Sequence, residues 1–190
     1  MSISKVTIAN IALQKLGTPS RISALDQDHP NARSINACYD VVRRRLLRKY
    51  DWAFAIARKS IAAEGDGTLF GDWNRYALPN DYIRLLLDDE ADTIVDWRIE
   101  GQYIVTADDS PLEIRYIADI DDPNYYDAQF VDAFACELAL QCCEEVTGST
   151  SKKGDIIDER KDALNEAKRL GSIERAEKNF PEDEWLTARY

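Results

Sequence analysis

One histidine in 190 residues leaves little room for chemistry that depends on imidazole. His29 stands before Pro30 in a polar stretch, so a Ser-His or Cys-His nucleophile would have to use a residue expected in solvent. The four cysteines (Cys38, Cys136, Cys142 and Cys143) show no Cys-x-x-Cys spacing, and with one histidine they give no support to a zinc site. Cys136 and Cys143 lie seven apart in an apolar helical pattern and read as small core residues with free thiols. The eight glycines form neither GxxxxGK[ST] nor GxGxxG, so phosphoryl-transfer and dinucleotide chemistry have no support and no cofactor is expected. No apolar run reaches the roughly 18 residues of a membrane-spanning helix, and no membrane partner is expected. MSISKVTIAN lacks a basic segment followed by an apolar one. No secretory signal is therefore expected, and the chain is expected to fold in the cytosol where it is made.

Acid is in excess, and unevenly. Residues 1–60 carry 11 Lys+Arg against 4 Asp+Glu, and residues 61–190 carry 13 against 31, giving the net −11. Such asymmetry predicts two electrostatic faces. It argues against tight DNA binding, since phosphate contacts need Lys and Arg.

Hydrophobic spacing predicts a helix over 5–16, capped by Ser4 and stopped by Gly17 and Pro19. A second is predicted over 31–50, with Ile35, Tyr39, Val42, Leu46 and Tyr50 on one stripe. Arg43, Arg44, Arg45, Arg48 and Lys49 crowd its last two turns, more cations than the helix dipole asks for. The arginines are candidates for contact with a partner, against the alternative of a solvated face. After Trp52 and Phe54 the period changes. Segments 54–63, 82–88, 93–99, 102–106 and 112–118 are β-branched and aromatic, divided by Gly, Pro, Asn and Asp, with a hairpin expected at Glu100-Gly101. Helical spacing returns over 128–147 and 155–176, where Gly171 is a candidate break.

The predicted class is α+β, mainly α. It comprises one domain over 1–176, with a helical core (1–56 and 126–176) and an inserted antiparallel β meander (57–120). Residues 177–190 carry Phe180, Trp185, Leu186 and Tyr190 among charges and cannot form a core alone, so they are predicted to dock on a partner.

Carboxylates are plentiful, so a paired-acid glycan hydrolase is a reading to weigh. Most acids lie in runs that suit turns or solvated faces; Glu137 and Glu144, flanked by apolar helix residues, are the two to inspect.

Three stretches carry a resemblance. They are TIANIALQKLGTPSRISAL with NARSINACYDVVRRRLLRKYDWAFAI (7–25 and 31–56), LPNDYIRLL (78–86), and EIRYIADIDDPNYYDAQFVDAFACELA (113–139). In order and spacing they resemble the head-to-tail adaptor, or tail tubular protein A, family of short-tailed phages. The resemblance implies a virion protein at the head–tail junction, forming a ring of twelve subunits between the portal protein and the tail nozzle protein. It also implies genomic DNA passing through the lumen, and a C-terminal extension that grips the portal. A helix bundle with a β insertion is the fold it implies. Hydrolysis of cell-wall or surface polysaccharide is attributed to some relatives, which makes a tail-associated glycan hydrolase the alternative function. If acids line the channel, the candidates are Asp88, Asp89, Asp119, Asp121 and Asp122, repelling phosphate so that DNA slides.

Overall fold

In the computed structural model the described residues are 3–65, 68, 71, 73–86, 94 and 96–173. They include helices α1 (Lys5–Lys15), α2 (Pro30–Lys49), α3 (Ala128–Thr147) and α4 (Ser151–Ile173). Between α2 and α3 come strands β1 (Ile56–Ile61), β2 (Ala63–Glu64), β3 (Asn74–Ala77), β4 (Tyr82–Leu85), β5 (Arg98–Glu100), β6 (Tyr103–Thr106) and β7 (Leu112–Ala118). The class is α+β, mainly α, with the strands inserted into a helical bundle.

Helices α1, α2 and α3 each begin where a side chain takes up a free backbone N–H. Ser4 Oγ accepts from the Thr7 amide at 3.1 Å, and Asp127 accepts from the Phe130 amide at 2.6 Å. His29, expected in solvent, is half-buried and caps α2, its Nδ1 accepting from the Asn31 amide at 3.2 Å. Gly17 (φ +72°) and Gly148 (φ +62°) end α1 and α3 in the left-handed conformation that side chains resist.

The central helix is α3, which packs against α1, α2 and α4. That explains its composition: Phe130, Phe134, Leu138 and Cys142 on one stripe are buried, and so are Val131, Ala133, Ala135, Cys136 and Cys143 beside it. Tyr39 is buried against Phe134 with ring centroids 4.9 Å apart, and its hydroxyl finds no partner among the described residues. Burial pushes that phenol well above its ordinary range. Tyr39→Phe is therefore expected to be neutral or to raise stability by about 1 kcal/mol in urea unfolding, since only an unsatisfied group is removed.

The strands are antiparallel, as predicted, and divide between two sheets. β1 pairs with β7 from Ile56↔Ile117 to Ile61↔Leu112, and β4 lies on β7's other side. The chain then passes Ala62, and β2 joins the second sheet, ordered β2-β3-β6-β5. Leu112, Ile114 and Tyr116 alternate along β7 and enclose a second apolar cluster with Tyr76, Leu85 and Ile104. The β5–β6 hairpin turns at Gly101-Gln102, with Gly101 at φ +61° and Glu100 paired with Tyr103. That is one residue beyond the expected turn.

Three further differences stand out. β3 was not anticipated. α4 starts at Ser151, ahead of the expected 155, and runs through Gly171 without a break. Of the expected strand over 93–99, Arg98 and Ile99 open β5, Asp96 and Trp97 stand outside any strand, and 93 and 95 lie outside the described residues, as do residues 174–176 and the whole segment 177–190.

Candidate functional site

The basic end of α2 sends its side chains in three directions, because successive residues turn by about 100° around a helix. Arg43 points inward and is 4% exposed. Its Nη1 donates to Asp119 Oδ1 at 2.5 Å and to the Ile120 carbonyl at 2.6 Å, just past the end of β7. Arg44, more than half exposed, donates to the other oxygen of Asp119 at 2.7 Å. Asp121 meets Lys5 at 2.8 Å and stands 3.7 Å from Arg43. Arg48 donates to the Ile83 carbonyl of β4 at 2.6 Å, while Arg84 of β4 returns a bond to the Arg48 carbonyl at 2.9 Å and pairs with Asp51.

Two expectations therefore meet in one place. Arginines expected to face a partner and acids expected to face a channel neutralise one another inside the chain. Arg43 is a buried staple between bundle and insertion, and Asp119, its side chain 13% exposed, is the other half of it. Asp122 accepts from the Asn124 amide at 3.0 Å and caps the short turn before α3. Arg44, Arg45 and Arg48 keep exposed surface. Asp88, Asp89, Phe180, Trp185, Leu186 and Tyr190 lie outside the described residues.

The Lys5 ammonium holds the Asp121 carboxyl below the usual carboxylate range. A depressed carboxylate pKa contributes stability at pH values above its unfolded value of about 3.9, and the contribution is lost as pH falls through the lower folded value. Asp121→Asn is thus expected to narrow the difference in melting temperature between pH 6 and pH 3. An unchanged difference would show that the pair carries no linkage.

Arg45 points the other way, toward α3 and α4. Its guanidinium is 3.5 Å from Glu137, and Arg160 of α4 is 3.6 Å from the same carboxylate, which is 6% exposed. Because α4 packs chiefly on α3, a cleft remains between α4 and the end of α2. A hollow of about 420 Å³ is lined by Arg45, Leu46, Lys49, Glu137, Leu140, Lys153 and Arg160. A hollow of about 250 Å³ follows it along α4, lined by Tyr50, Trp52, Leu164, Ala167 and Lys168. A third, about 410 Å³, continues past Trp52 to Arg58 and Arg115. Those two arginines are direct cross-strand partners on β1 and β7. The cleft is the feature of the site that the sequence did not reveal. Its signals were the four- and seven-residue spacings Arg45–Lys49 and Lys153–Arg160, which mark one face on each of two helices.

Glu137 faces two guanidinium groups, which is not the apolar enclosure that a general acid requires. Glu144, two turns further along α3, is in solvent and bonded to Lys153 at 2.6 Å. The pair does not converge on one cleft. The thiols sit in the core: Cys136, Cys142 and Cys143 are buried, and half-buried Cys38 has its sulfur 3.4 Å from that of Cys142. Burial pushes the Cys136 thiol up to about 11, far from a reactive thiolate at neutral pH.

Compared with known proteins, the chain matches no protein-family model, and no curated protein matches it in sequence.

Proposed function

We propose that the chain is a structural subunit of a ring-shaped head-to-tail adaptor in a short-tailed phage virion, joining the portal to the tail nozzle and continuing the DNA channel. One observation carries the reading. The three stretches that resemble the adaptor family are far apart in sequence, yet they meet at a single junction. Arg43 and Arg48 come from the first, the Ile83 carbonyl from the second, and Asp119 with the Ile120 carbonyl from the third. The Arg43–Asp119 pair is buried, while Arg48, itself exposed, ties the first stretch to the second through the Ile83 carbonyl, so residues of all three stretches fix the junction between bundle and insertion. An exposed edge strand adds support. All three residues of β5 are exposed at the rim of the four-stranded sheet, and Trp97 and Ile99, two apart in sequence, are both exposed there. Such an edge is a ready place for a neighbouring subunit.

With Asp119 and Asp121 paired inside the chain, a repulsive lumen would have to be lined by other acids. Asp122 is one that stays exposed. The ring is expected to let duplex DNA pass without submicromolar affinity at physiological salt.

The test is electron microscopy and mass measurement of the full chain, alone and mixed with its portal. The reading expects closed rings of about twelve copies of the 21.6 kDa subunit seated on the portal. A chain that stays monomeric beside the portal would overturn it. Cleavage of glycan, abolished by Glu137→Gln, would favour the hydrolase instead.

A further inference from the structure

We infer that Cys38 and Cys142 form a redox-gated staple: a small hydroperoxide closes them into a disulfide that ties α2 to α3 around the β insertion, and external thiols reopen it. The inference goes beyond the adaptor reading and stands or falls without it.

The case begins with geometry. The two sulfurs are 3.4 Å apart. A disulfide needs about 2.05 Å, so side-chain rotation has about 1.4 Å to close. The approach is built into the helix pair. Ser34 Oγ donates to Glu145 Oε2 at 2.7 Å on one side of the cysteines, and Arg45 stands 3.5 Å from Glu137 on the other. As the numbers rise along α2 they fall along α3, so the helices are antiparallel and the thiols meet between two polar contacts that fix the register. Tyr39, next to Cys38, is buried against Phe134 of α3 and holds the same seam. The other cysteines face elsewhere. Cys143 is turned by about 100° from Cys142, and its sulfur lies near Thr147 and the Ser149 carbonyl. Cys136 lies by Lys15 of α1. A shared metal ion is the other use of two close thiols. Among the described residues, however, no group of three His, Cys, Asp or Glu side chains is placed to hold one.

The two thiols are unlike, which divides the roles. Cys38 is half-buried and opens to solvent, whereas Cys142 is 2% exposed. The Cys38 S–H has the Cys142 sulfur and the Ile35 carbonyl within reach. Its hydrogen bond holds the Cys142 thiol below the ordinary range, and the same contact pushes Cys38 up. Cys142 is therefore the nucleophile and Cys38 the resolving thiol. The oxidant must pass Cys38, which favours hydrogen peroxide over a bulky disulfide. The Cys142 thiolate attacks one peroxide oxygen, the O–O bond breaks, and the departing oxygen takes a proton. Cys142 is left as a sulfenic acid. The Cys38 sulfur then attacks the Cys142 sulfur, the S–O bond breaks, and hydroxide leaves with the Cys38 proton as water. Two thiols and one hydrogen peroxide thus give one disulfide and two waters, with two electrons passing from sulfur to oxygen. Two external thiols reopen the bond by exchange and become a disulfide themselves. The link closes a loop across 104 positions that contains every strand, so it restricts the unfolded chain far more than the folded one. Such a chain is open where thiols are kept reduced and stapled where they are not.

The experiment treats the folded full-length chain with hydrogen peroxide, alkylates the remaining thiols in urea, and maps linked peptides by tandem mass spectrometry. A link between Cys38 and Cys142 within one chain is expected, with Cys136 and Cys143 alkylated. The oxidised chain should melt about 5 °C or more above the reduced chain, and dithiothreitol should erase the difference. Cys38→Ala should abolish both the link and the shift, and should leave on Cys142 a sulfenic acid that dimedone captures. Cys136→Ala with Cys143→Ala should keep the link. The wild-type map decides the matter even where a variant fails to fold. Links to other cysteines, links between chains, no loss of free thiols, over-oxidation of Cys142 without a link, or a link with no rise in melting temperature would overturn the inference.

Discussion

Arg43→Ala is expected to cost about 3–5 kcal/mol of folding stability, the range for breaking one side of a buried ion pair. The guanidinium is 4% exposed and makes its bonds to Asp119 and to the Ile120 carbonyl across a gap of more than seventy residues of sequence. Alanine would leave the Ile120 carbonyl with Tyr126 as its side-chain donor and Asp119 with Arg44 as its cation. The loss would come from a mostly buried carboxylate left with a single, exposed cation rather than from missing attraction alone. Arg43→Lys should recover part of it at most, because one ammonium cannot present the flat fork that reaches a carboxylate and a carbonyl together. Arg44→Ala, at a side chain 58% exposed, should cost less than about 1 kcal/mol. Urea unfolding with matched slopes measures all three. A loss below about 1 kcal/mol for Arg43→Ala would mean that bundle and insertion are held by packing alone. The double variant Arg43→Met with Asp119→Leu sharpens the point: near-wild-type stability is expected if the pair mainly cancels its own desolvation.

The same residues show where sequence reading ends. Helix α3 was legible to its boundaries because its signals are local: a capping Asp127, an apolar stripe and Gly148 after the last turn. β7 was legible because Leu112, Ile114 and Tyr116 alternate with Glu113 and Arg115. β3 was not. Asn74-Arg75-Tyr76-Ala77 contains no β-branched residue, and its place is set by pairing with β6 and by burial of Tyr76. Gly171 looked like a stop because glycine costs a helix about 1 kcal/mol. The helix passes through it, with buried Leu164 and half-buried Ala167 holding the preceding turns against the core. The arginine cluster was visible as a surplus of charge, but a surplus has no address. Which carboxylate answers each arginine depends on how β7 returns past α2, and that is a tertiary fact. The cleft is more remote still, since it exists only once α3 separates α4 from α2.

Phe130→Ala is expected to be as damaging as any single substitution in the bundle, about 3–5 kcal/mol. Trp52 and Phe54 stand where the hydrophobic period changes, at the junction between bundle and insertion. The structure places both against a third. Phe130, fully buried, stands edge-on to Trp52 at 4.9 Å, to Phe54 at 5.0 Å and to Tyr126 at 4.7 Å, with Phe134 behind it at 5.6 Å. Removing it opens a cavity beneath four rings from the α2–β1 turn, the approach to α3, and α3 itself. Neighbours tied by their own bonds cannot collapse into it: Trp52 Nε1 donates to the Leu46 carbonyl at 3.1 Å, and Tyr126 donates to the Ile120 carbonyl at 2.9 Å. Trp52→Ala should follow closely, since the indole is 6% exposed and that bond is lost with it. Phe54→Ala should cost less, because its ring is only partly buried against the cluster. Thermal unfolding should give the order Phe130, Trp52, Phe54, and the double variant Trp52→Ala with Phe130→Ala should cost less than the sum, since the two rings share one contact. Strict additivity would show that each ring is held by its own surroundings, and that the junction has no common centre.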